Sequence, residues 1–299
     1  MRGRVEEFLR EGGRGQGPLA LPPENYLMPS DSELPRNAQG RFYHIDCGPG
    51  DLAPYILTCG DPGRARKIAR YFEKVAVRRR NREFYTYTGC YKGIPLSVMA
   101  TGIGSDNTAI AVIEAAQCVS KATFIRLGSC GALQPEINPG DLVITARALR
   151  DETTTNYYAP PEYEARAHPL VLKALEEAAA ELGVPHHVGL TCTTGDFYGG
   201  QGRQVPGFPI LEPDKVARLR RAGVLNLEME MSAYLTLAGV STYPLRAGGA
   251  CAVLNNRLTG ASVFASARLK SLAEKRLITT GLLAVEKLSA WDKEFGEGG

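Results

Sequence analysis

The stretch FIRLGSCGAL, residues 124–133, combines the pattern of a buried strand with a glycine turn, and the fold can be worked out from it. Apolar residues flank Arg126, and Gly128 and Ser129 follow closely. A guanidinium cannot lose its proton in a protein, so burying it without a partner is costly. Either Arg126 faces a ligand at the carboxyl end of its strand, where open α/β sheets bind ligands, or it pairs with a structural carboxylate.

The same pattern, a short apolar strand that ends in glycine, occurs twice before this stretch. YILTC (55–59) leads into GDPGR, LSVMA (96–100) leads into TGIG, and a helical pattern follows each. The alternation continues, with strands predicted at 141–146, 187–193, 224–229 and 246–254 and helices at 169–182, from about 230, and at 262–288. It favours an α/β fold with a central, largely parallel sheet and helices on both faces.

Length and composition are those of one globular domain with an added N-terminal segment. The chain has 299 residues, of which 44% are hydrophobic and 22% charged, and its formal net charge is +3. That charge is too small and too mixed in sign for a nucleic-acid surface, and no apolar window is long enough to span a bilayer. Residues 1–40 are rich in Gly, Pro and charge, so we expect a flexible extension there and a single domain over 41–299.

The cysteines indicate a reducing environment. Seven are scattered along the chain, none of them in a CxxC pair, and no HExxH motif occurs. The N-terminal residues contain no apolar stretch of the kind that a signal peptide carries. We therefore expect reduced thiols in a cytoplasmic protein and no bound metal.

The GDPGR motif predicts a helix start that can bind an anion. Asp61 is a typical N-cap and the proline after it suits the first helical position, so free amides would lie beside Gly60 and Arg64. The alternative is a capped helix with a solvated arginine. With Arg82 of NREF and Arg126, Arg64 completes a possible set of three guanidinium groups, which suits a dianionic phosphate.

Two further motifs carry polar side chains suited to a nucleoside. NLEMEM places Glu228 and Glu230 two residues apart, so a strand would present both carboxylates on one face, where they could accept hydrogen bonds from a sugar's hydroxyl pair. GDFYGGQGR places Gln201 and Arg203 on a glycine-rich loop, and together they could bind O2, N3–H and O4 of a uracil ring. The alternatives are solvated acids at a strand edge and a polar surface loop.

Seven motifs occur in an order that resembles the nucleoside phosphorylase-I family: GDPGR, NREF, TGIG, FIRLGSCGAL, FYGGQGR, NLEMEM and VLNNR. The similarity runs from about Tyr43 to the C-terminal helix. It implies an α/β fold, a single-domain three-layer αβα structure whose mixed central sheet is partly closed into a distorted barrel. It also implies a homo-oligomer built from dimers, usually a hexamer among uridine-cleaving members, with active sites at the dimer interface.

The resemblance also implies roles for individual residues. For phosphate it implies Gly60, Arg64, Arg126 and Ser129, with Arg82 supplied by the neighbouring subunit. For ribose it implies Met229 and Glu230, with His44 reaching the 5′-hydroxyl from the partner chain. For uracil it implies Phe197, Gln201 and Arg203, with Glu228 and Arg257 in supporting positions.

The chain departs from the family pattern at several positions. Purine-cleaving relatives carry an Asp near residues 252–255, where this chain reads AVLN, so the resemblance implies a pyrimidine substrate. Ser129 and Cys130 stand where a Thr-Thr pair is common, and Leu227 replaces an aromatic residue. Some relatives bind a monovalent cation near the position of Glu83, but Asn107 stands here where a serine is expected.

The implied reaction is phosphorolysis of uridine to uracil and ribose 1-phosphate, with inorganic phosphate as co-substrate and no cofactor. Three alternatives remain open: a phosphorylase with another base specificity, a hydrolytic nucleosidase of the same fold, and a non-catalytic nucleoside-binding protein. A requirement of turnover for phosphate would separate these classes.

Overall fold

The computed structural model describes residues 30–264 and 266–296, and this part of the chain contains ten strands and six α-helices. The strands are β1 Tyr55–Cys59, β2 Lys74–Asn81, β3 Phe84–Tyr91, β4 Ile94–Ala100, β5 Ala122–Ala132, β6 Leu142–Asp151, β7 Ala165–Arg166, β8 His186–Thr194, β9 Val224–Glu228 and β10 Leu245–Asn256. The helices are α1 Pro62–Ala69, α2 Ser105–Ala116, α3 Pro169–Glu181, α4 Lys215–Arg221, α5 Met231–Val240 and α6 Ala267–Gly296.

All ten strands join one mixed sheet. Strands β4, β1, β5 and β10 run parallel as neighbours, whereas β2, β3 and β4 are antiparallel. Beyond β5 the sheet curls back on itself: β5 pairs with β9, β9 with β8, β8 with β6, β6 with β10, and β10 with β5 again. These five strands close a small barrel, so the expected mixed sheet with a distorted barrel is confirmed.

The β2–β3 hairpin at the sheet edge is an element that the helix–strand alternation does not predict. Strand β2 alternates between exposed and half-buried side chains, and only Arg82 and Glu83 separate it from β3. A two-residue connection can join only antiparallel strands, because a parallel crossover needs a dozen residues or more. The expectation of a largely parallel sheet is therefore wrong at this edge.

Helices cover both faces of the sheet, which gives three layers. On one face, α1, α3 and α6 contribute the buried side chains of Ile68, Leu175 and Leu282 to the core. On the other face, α2 and α5 contribute Val112 and Tyr234 to a second core. Burying an aliphatic side chain of this size stabilises the fold by roughly 1.5–3 kcal/mol, so each layer is held mainly by apolar contact.

The predicted helix boundaries hold best where a cap is present. Helix α3 begins after His168, whose ring nitrogen accepts a hydrogen bond from the Leu170 amide at 3.3 Å, and it ends before Gly183, which has a φ of 60°. This agrees with the predicted 169–182 to within one residue. Helix α6 starts five residues later than predicted and continues to Gly296. Within the described residues, no helix is both long enough and apolar enough to cross a membrane.

Most of the expected N-terminal extension over residues 1–40 lies outside the described residues, which begin at Ser30. Residues 30–40 form turns, in which Arg36 makes an isolated β-bridge with Phe42. Leu34 packs against the core beneath α2 and α5. The domain boundary at residue 40 stays a prediction.

Candidate functional site

A cavity of about 570 Å³ opens where the loops after β1, β4, β8 and β9 meet. In α/β sheets, ligands bind at this kind of edge, beyond the carboxyl ends of the strands. Ten of the thirteen predicted site residues line the cavity: Gly60, Arg64, Arg126, Ser129, Phe197, Gln201, Arg203, Glu228, Met229 and Glu230. The other three, His44, Arg82 and Arg257, do not line it.

Arg126 is buried at the bottom of this cavity, with 3% of its surface exposed. Its Nε donates to Glu228 Oε2 at 3.1 Å, and its Nη2 donates to Glu230 Oε2. The third nitrogen, Nη1, has no hydrogen-bond partner within the described part of the chain. Arg126 is therefore paired with carboxylates and also keeps one terminal nitrogen, with its two N–H donors, unpartnered within the described residues. Because a buried unsatisfied donor is costly, an anionic ligand would find a ready partner there.

The charges of Glu228 and Glu230 affect the pKa of Arg126, and the charge of Arg126 in turn affects the pKa of Glu228. Burial alone would lower the pKa of its guanidinium, but the charges of Glu230 and Glu228 raise that pKa above its ordinary value. Burial raises the pKa of the Glu228 carboxyl, and the charge of Arg126 opposes that rise. Each charge in this group thus depends on the others, as is usual for buried ion pairs.

Glu228 and Glu230 do not both belong to a strand, contrary to the prediction. Strand β9 ends at Glu228, and Glu230 occupies the N-terminal boundary of α5 with φ −141° and ψ −20°. The chain turns at this point because the Glu228 carboxylate accepts from the amides of Glu230 and Met231, each at 2.9 Å. It also accepts from the hydroxyl of Thr193 at 2.5 Å. Both carboxylates are nevertheless buried and directed at Arg126, so they are not solvated acids.

The TGIG loop after β4 holds Glu230 in place. The Gly104 amide donates to Glu230 Oε1 at 2.8 Å, and the Ser105 hydroxyl donates to the Met229 carbonyl at 3.0 Å. Glu230 thus receives one donor from the loop and one from Arg126, which leaves lone pairs on both oxygens for ligand hydroxyls.

Arg64 lies at the other side of the cavity floor, in the first turn of α1, and its side chain is hydrogen-bonded to β5. Asp61 caps α1 by accepting from the Gly63 amide at 2.7 Å, as predicted. Arg64 Nη1 donates to the Leu127 carbonyl at 2.9 Å, and Nη2 donates to Ser129 Oγ at 2.8 Å. Since the Ser129 oxygen accepts this bond, its own hydroxyl proton is free to donate to a ligand. The Arg64 side chain is half-buried and hydrogen-bonded to other parts of the chain, so it is not a solvated arginine.

Gly60 allows the loops after β1 and β4 to approach each other. A Cβ at this position would lie 2.7 Å from the carbonyl oxygen of Gly102, closer than real side chains come to backbone. The amide-rich ends of β1 and β4 can therefore meet only if residue 60 is glycine.

The opposite end of the cavity contains Gln201, Arg203 and Phe197. Arg203 lies over the Phe197 ring, with 4.1 Å between its guanidinium carbon and the ring centroid, and its Nη2 donates to Gln201 Oε1 at 3.3 Å. Gln201 Nε2 donates to Thr194 Oγ1 at 3.2 Å. Only 3% of Gln201 is exposed, so this segment is not simply a polar surface loop. The amide keeps one free donor and one free acceptor site.

Arg257 supports this end from behind. Its Nη1 donates to the backbone carbonyl of Gln201 at 3.1 Å. Burial and the nearby charge of Arg203 lower the pKa of Arg257 to about 10, and burial also lowers the pKa of Arg203. These two guanidinium groups have no carboxylate partner within the described residues, and two close positive charges favour the binding of a negative charge here.

His44 and Arg82 lie together outside the cavity. His44 Nδ1 and the Glu114 Oε1 atom are 2.6 Å apart, and Arg82 Nη2 donates to the hydroxyl of Tyr43 at 3.1 Å. Arg82 also has a φ of 50°, a conformation that residues other than glycine rarely adopt. Both residues are thus placed on one surface patch of this chain, and neither completes its own cavity.

Two exposed apolar residues of the cavity are signals that the sequence interpretation did not use for the site. Ile103 and Phe264 are 70% and 63% exposed and form an apolar rim. Cys130 and Asn255 line the interior. An isoleucine inside a glycine loop is a recognisable signal, because exposed apolar residues beside a cavity commonly contact ligands.

Glu83, the position near which relatives bind a monovalent cation, lies against Gly102. A Cβ built on Gly102 would meet the Glu83 Cγ at 2.9 Å and the Asn107 amide nitrogen at 2.8 Å. Asn107 thus presents an amide in the place expected for a serine hydroxyl. The expectation that no metal is bound stays a prediction.

Comparison with known proteins agrees with the fold. Residues 54–283 match the model of a family described as the phosphorylase superfamily. The uridine phosphorylase of Thermococcus kodakarensis is 44% identical over 88% of this chain and 92% of its own length. The uridine phosphorylase of Escherichia coli is 37% identical over 72% and 86%, and the guanosine phosphorylase of Halorubrum lacusprofundi is 32% identical over 73% and 84%. The resemblance in the ordered motifs is thus confirmed, and the chain belongs to the phosphorylase superfamily.

Proposed function

We propose that this protein catalyses the reversible phosphorolysis of uridine to uracil and ribose 1-phosphate, as a pentosyltransferase of pyrimidine salvage. The observation that carries the proposal is that three pairs of contacting side chains line one cavity: Arg64 with Ser129, Arg126 with Glu230, and Arg203 with Gln201. We assign these pairs to a phosphate, a ribose and a pyrimidine base, and several relatives are uridine phosphorylases.

At the anion end, phosphate acts as the nucleophile on C1′ of the ribose. Arg126 Nη1, which is unpartnered within the described residues, and the free hydroxyl proton of Ser129 are its donors. Breaking the bond between C1′ and N1 leaves positive charge on the sugar. The bound phosphate is then both the nucleophile and the counter-charge, and its positioning converts binding into reaction rate.

In the middle, Glu230 and Met229 orient the ribose. The Glu230 oxygens have lone pairs that can accept from the 2′- and 3′-hydroxyls while Gly104 and Arg126 hold the carboxylate still. A carboxylate fixed from two sides in a buried site loses little entropy when the substrate binds.

At the base end, Arg203 and Gln201 stabilise the charge that develops on uracil as the bond breaks. Donors aimed at a developing negative charge in a buried site supply a large part of many enzymatic rate enhancements. Asn255 lines the cavity, and the resemblance implies that purine-cleaving relatives carry the acid for N7 near this position. Uracil requires no such acid, since its anion is delocalised over two oxygens.

We also propose that the active enzyme is a homo-oligomer built from dimers, expected to be a hexamer. The charges of Arg64, Arg126 and Lys67 are met by those of Asp61, Glu228, Glu230 and Glu274, three against four. One chain therefore brings no net positive charge to a dianionic phosphate. Arg82 from a neighbouring subunit would supply it, and His44 on the same patch would reach the 5′-hydroxyl.

The proposed reaction needs phosphate as co-substrate and no other cofactor. We place the protein in the cytoplasm, since all seven cysteines are present as free thiols, as a reducing compartment requires.

The test is a panel of nucleosides assayed with and without phosphate or arsenate. We expect uridine to be cleaved only when one of these anions is present, and inosine and guanosine to be poor substrates. The panel includes guanosine because a guanosine phosphorylase is 32% identical to this chain. Phosphorolysis of a purine nucleoside as fast as that of uridine would overturn the base assignment. Cleavage without phosphate would indicate a nucleosidase, and binding without turnover a non-catalytic protein.

A further inference from the structure

Helix α6 contributes a carboxylate to the back of the anion end. Glu274 lies between two cations of α1, which crosses beside it: Arg64 Nε donates to Glu274 Oε1 at 3.4 Å, and Lys67 Nζ donates to Glu274 Oε2. The side chain of Glu274 is 14% exposed, and that of Arg64 is 12% exposed. Glu274 does not line the cavity and cannot touch a ligand there.

The contact with Glu274 completes the fixation of the Arg64 guanidinium. The two terminal nitrogens donate to the Leu127 carbonyl and to Ser129 Oγ, both on β5. Without a partner on Nε, the planar group could still tilt about the line joining these two contacts. The contact from α6 adds a third point of attachment, at Nε, and restricts that tilt.

We propose that Glu274 is a positioning residue for Arg64, and through it for the hydroxyl of Ser129 at the phosphate end of the cavity. The inference rests on the proposed phosphorolysis and deepens it, because it concerns only the affinity for phosphate. Lys67 balances the second oxygen of Glu274, so the carboxylate stays beside Arg64 without adding uncompensated negative charge to the site.

Two conservative variants distinguish a Glu274 that positions Arg64 from a Glu274 that only repels the anion, because each hypothesis predicts a change in the KM for phosphate in a different variant. Glu274→Asp keeps the charge but withdraws the carboxylate by one methylene, so it removes the contact with Nε. Glu274→Gln keeps an oxygen acceptor at the same reach but removes the charge. If Glu274 positions Arg64, the Asp variant raises the KM for phosphate about tenfold, as expected for losing one hydrogen bond to a charged group, and the Gln variant does not raise it. If Glu274 acted only by repelling the anion, the Gln variant would lower that KM and the Asp variant would leave it unchanged.

The KM for uridine is the second measurement, and we expect it to change less than about twofold in both variants, because Arg64 lies at the anion end. Binding of inorganic phosphate alone, followed by calorimetry, should weaken in the Asp variant by the same factor as the KM. The matched control is Glu286→Asp on the same helix, which removes a carboxylate that accepts from Tyr91 and Lys92 far from the cavity. It should change neither KM.

The outcomes separate this inference from the proposed function. The wild-type requirement for phosphate is measured first, and its absence would overturn the phosphorolysis itself. With that requirement established, a higher phosphate KM in Glu274→Asp alone supports positioning. A lower KM in Glu274→Gln with no change in Glu274→Asp, an equal rise in the KM values for uridine and phosphate, or the same rise in Glu286→Asp would each overturn it.

Discussion

At the scale of single residues, Arg126 shows how a buried charge organises a site. Its guanidinium binds Glu228 and Glu230 and keeps one nitrogen free of partners within the described residues. Removing one member of a buried charge cluster leaves the others uncompensated, which costs more than the pair itself contributes. Arg126 therefore has two separable roles, one in stability and one in ligand binding.

We predict that Arg126→Met lowers the free energy of unfolding by about 3–5 kcal/mol at pH 8 and by clearly less at pH 5. In the variant, burial still raises the pKa of Glu228 but no guanidinium opposes it. A carboxyl whose folded pKa lies above its unfolded pKa favours the folded state at low pH and costs stability as pH rises through the folded value. Urea unfolding of wild type and variant at both pH values measures this.

The control for that experiment is Arg218→Met, which removes an exposed arginine paired with the exposed Glu212. Exposed pairs contribute little, so its effect should be small and nearly the same at both pH values. An equal loss of stability at pH 5 and pH 8 in Arg126→Met would contradict the account of the buried carboxylates.

A second prediction concerns Arg203 at the base end. We expect Arg203→Ala to lower kcat/KM for uridine by a factor that corresponds to about 2.7–4 kcal/mol, as for the loss of one donor to a developing oxyanion, while the affinity for phosphate changes little. Steady-state kinetics with each substrate varied in turn measure both effects. A weakened affinity for phosphate with unchanged use of uridine would show that the two ends of the cavity have been assigned in reverse.

At the scale of elements, the β2–β3 hairpin places an arginine where glycine is usual. The first residue of its two-residue turn is Arg82, with a φ of 50°, and such turns generally carry Gly, Asn or Asp. A left-handed conformation costs an ordinary residue roughly 1–2 kcal/mol. Glycine would adopt this conformation with less strain than arginine does.

We therefore predict that Arg82→Gly is more stable than Arg82→Ala by about 1 kcal/mol, yet equally impaired in phosphorolysis. Both variants lack the guanidinium, and only the glycine relieves the turn. Thermal or urea unfolding and a uridine assay on the two variants measure this. Lys92→Gly in the next hairpin, where φ is 48°, is the control and should leave activity unchanged. Full activity in Arg82→Gly would rule out a role for the guanidinium.

At the scale of the whole molecule, two of the expected site residues lie away from the cavity of their own chain. His44 and Arg82 lie on a patch that does not face their own cavity, and the anion end has no net positive charge of its own. Both observations have the same explanation if this patch borders the cavity of a neighbouring subunit. A C2 dimer would then contain two equivalent sites, each shared by both chains.

This arrangement predicts complementation between two inactive variants. Arg82→Ala and Arg126→Ala oligomers should each be nearly inactive, because every site lacks one guanidinium. When the two are unfolded and refolded together with random pairing, about half of the dimers are mixed, and one of the two sites in each receives both arginines, so activity should recover to about a quarter of wild type. The measurement is the uridine assay on the mixture and on each variant refolded alone. If mass spectrometry shows mixed dimers and no activity returns, Arg82 does not act across the interface.

The features that can be predicted from the amino-acid sequence are those that depend on residues close to one another in the chain. The cap at Asp61, the end of α3 at Gly183 and the buried strand around Arg126 follow from local rules of capping, turns and apolar patterning. The order of seven motifs also identified the family, and most of the expected site residues line one cavity. The same rules did not predict the β2–β3 hairpin, since β2 alternates only between exposed and half-buried side chains and most side chains of β3 are half-buried.

Which of these residues are in contact can be read only from the tertiary structure. Glu228 reaches Arg126 across 102 positions of sequence, and Glu274 reaches Arg64 across 210. Such contacts depend on how the barrel closes and how α6 packs back on α1, and no local pattern encodes either. Glu230 lies at the start of α5 rather than in β9 because the chain turns there. That turn likewise depends on the amides that donate to the Glu228 carboxylate. Chemistry that depends on neighbours in space rather than in sequence is therefore visible only in the folded chain.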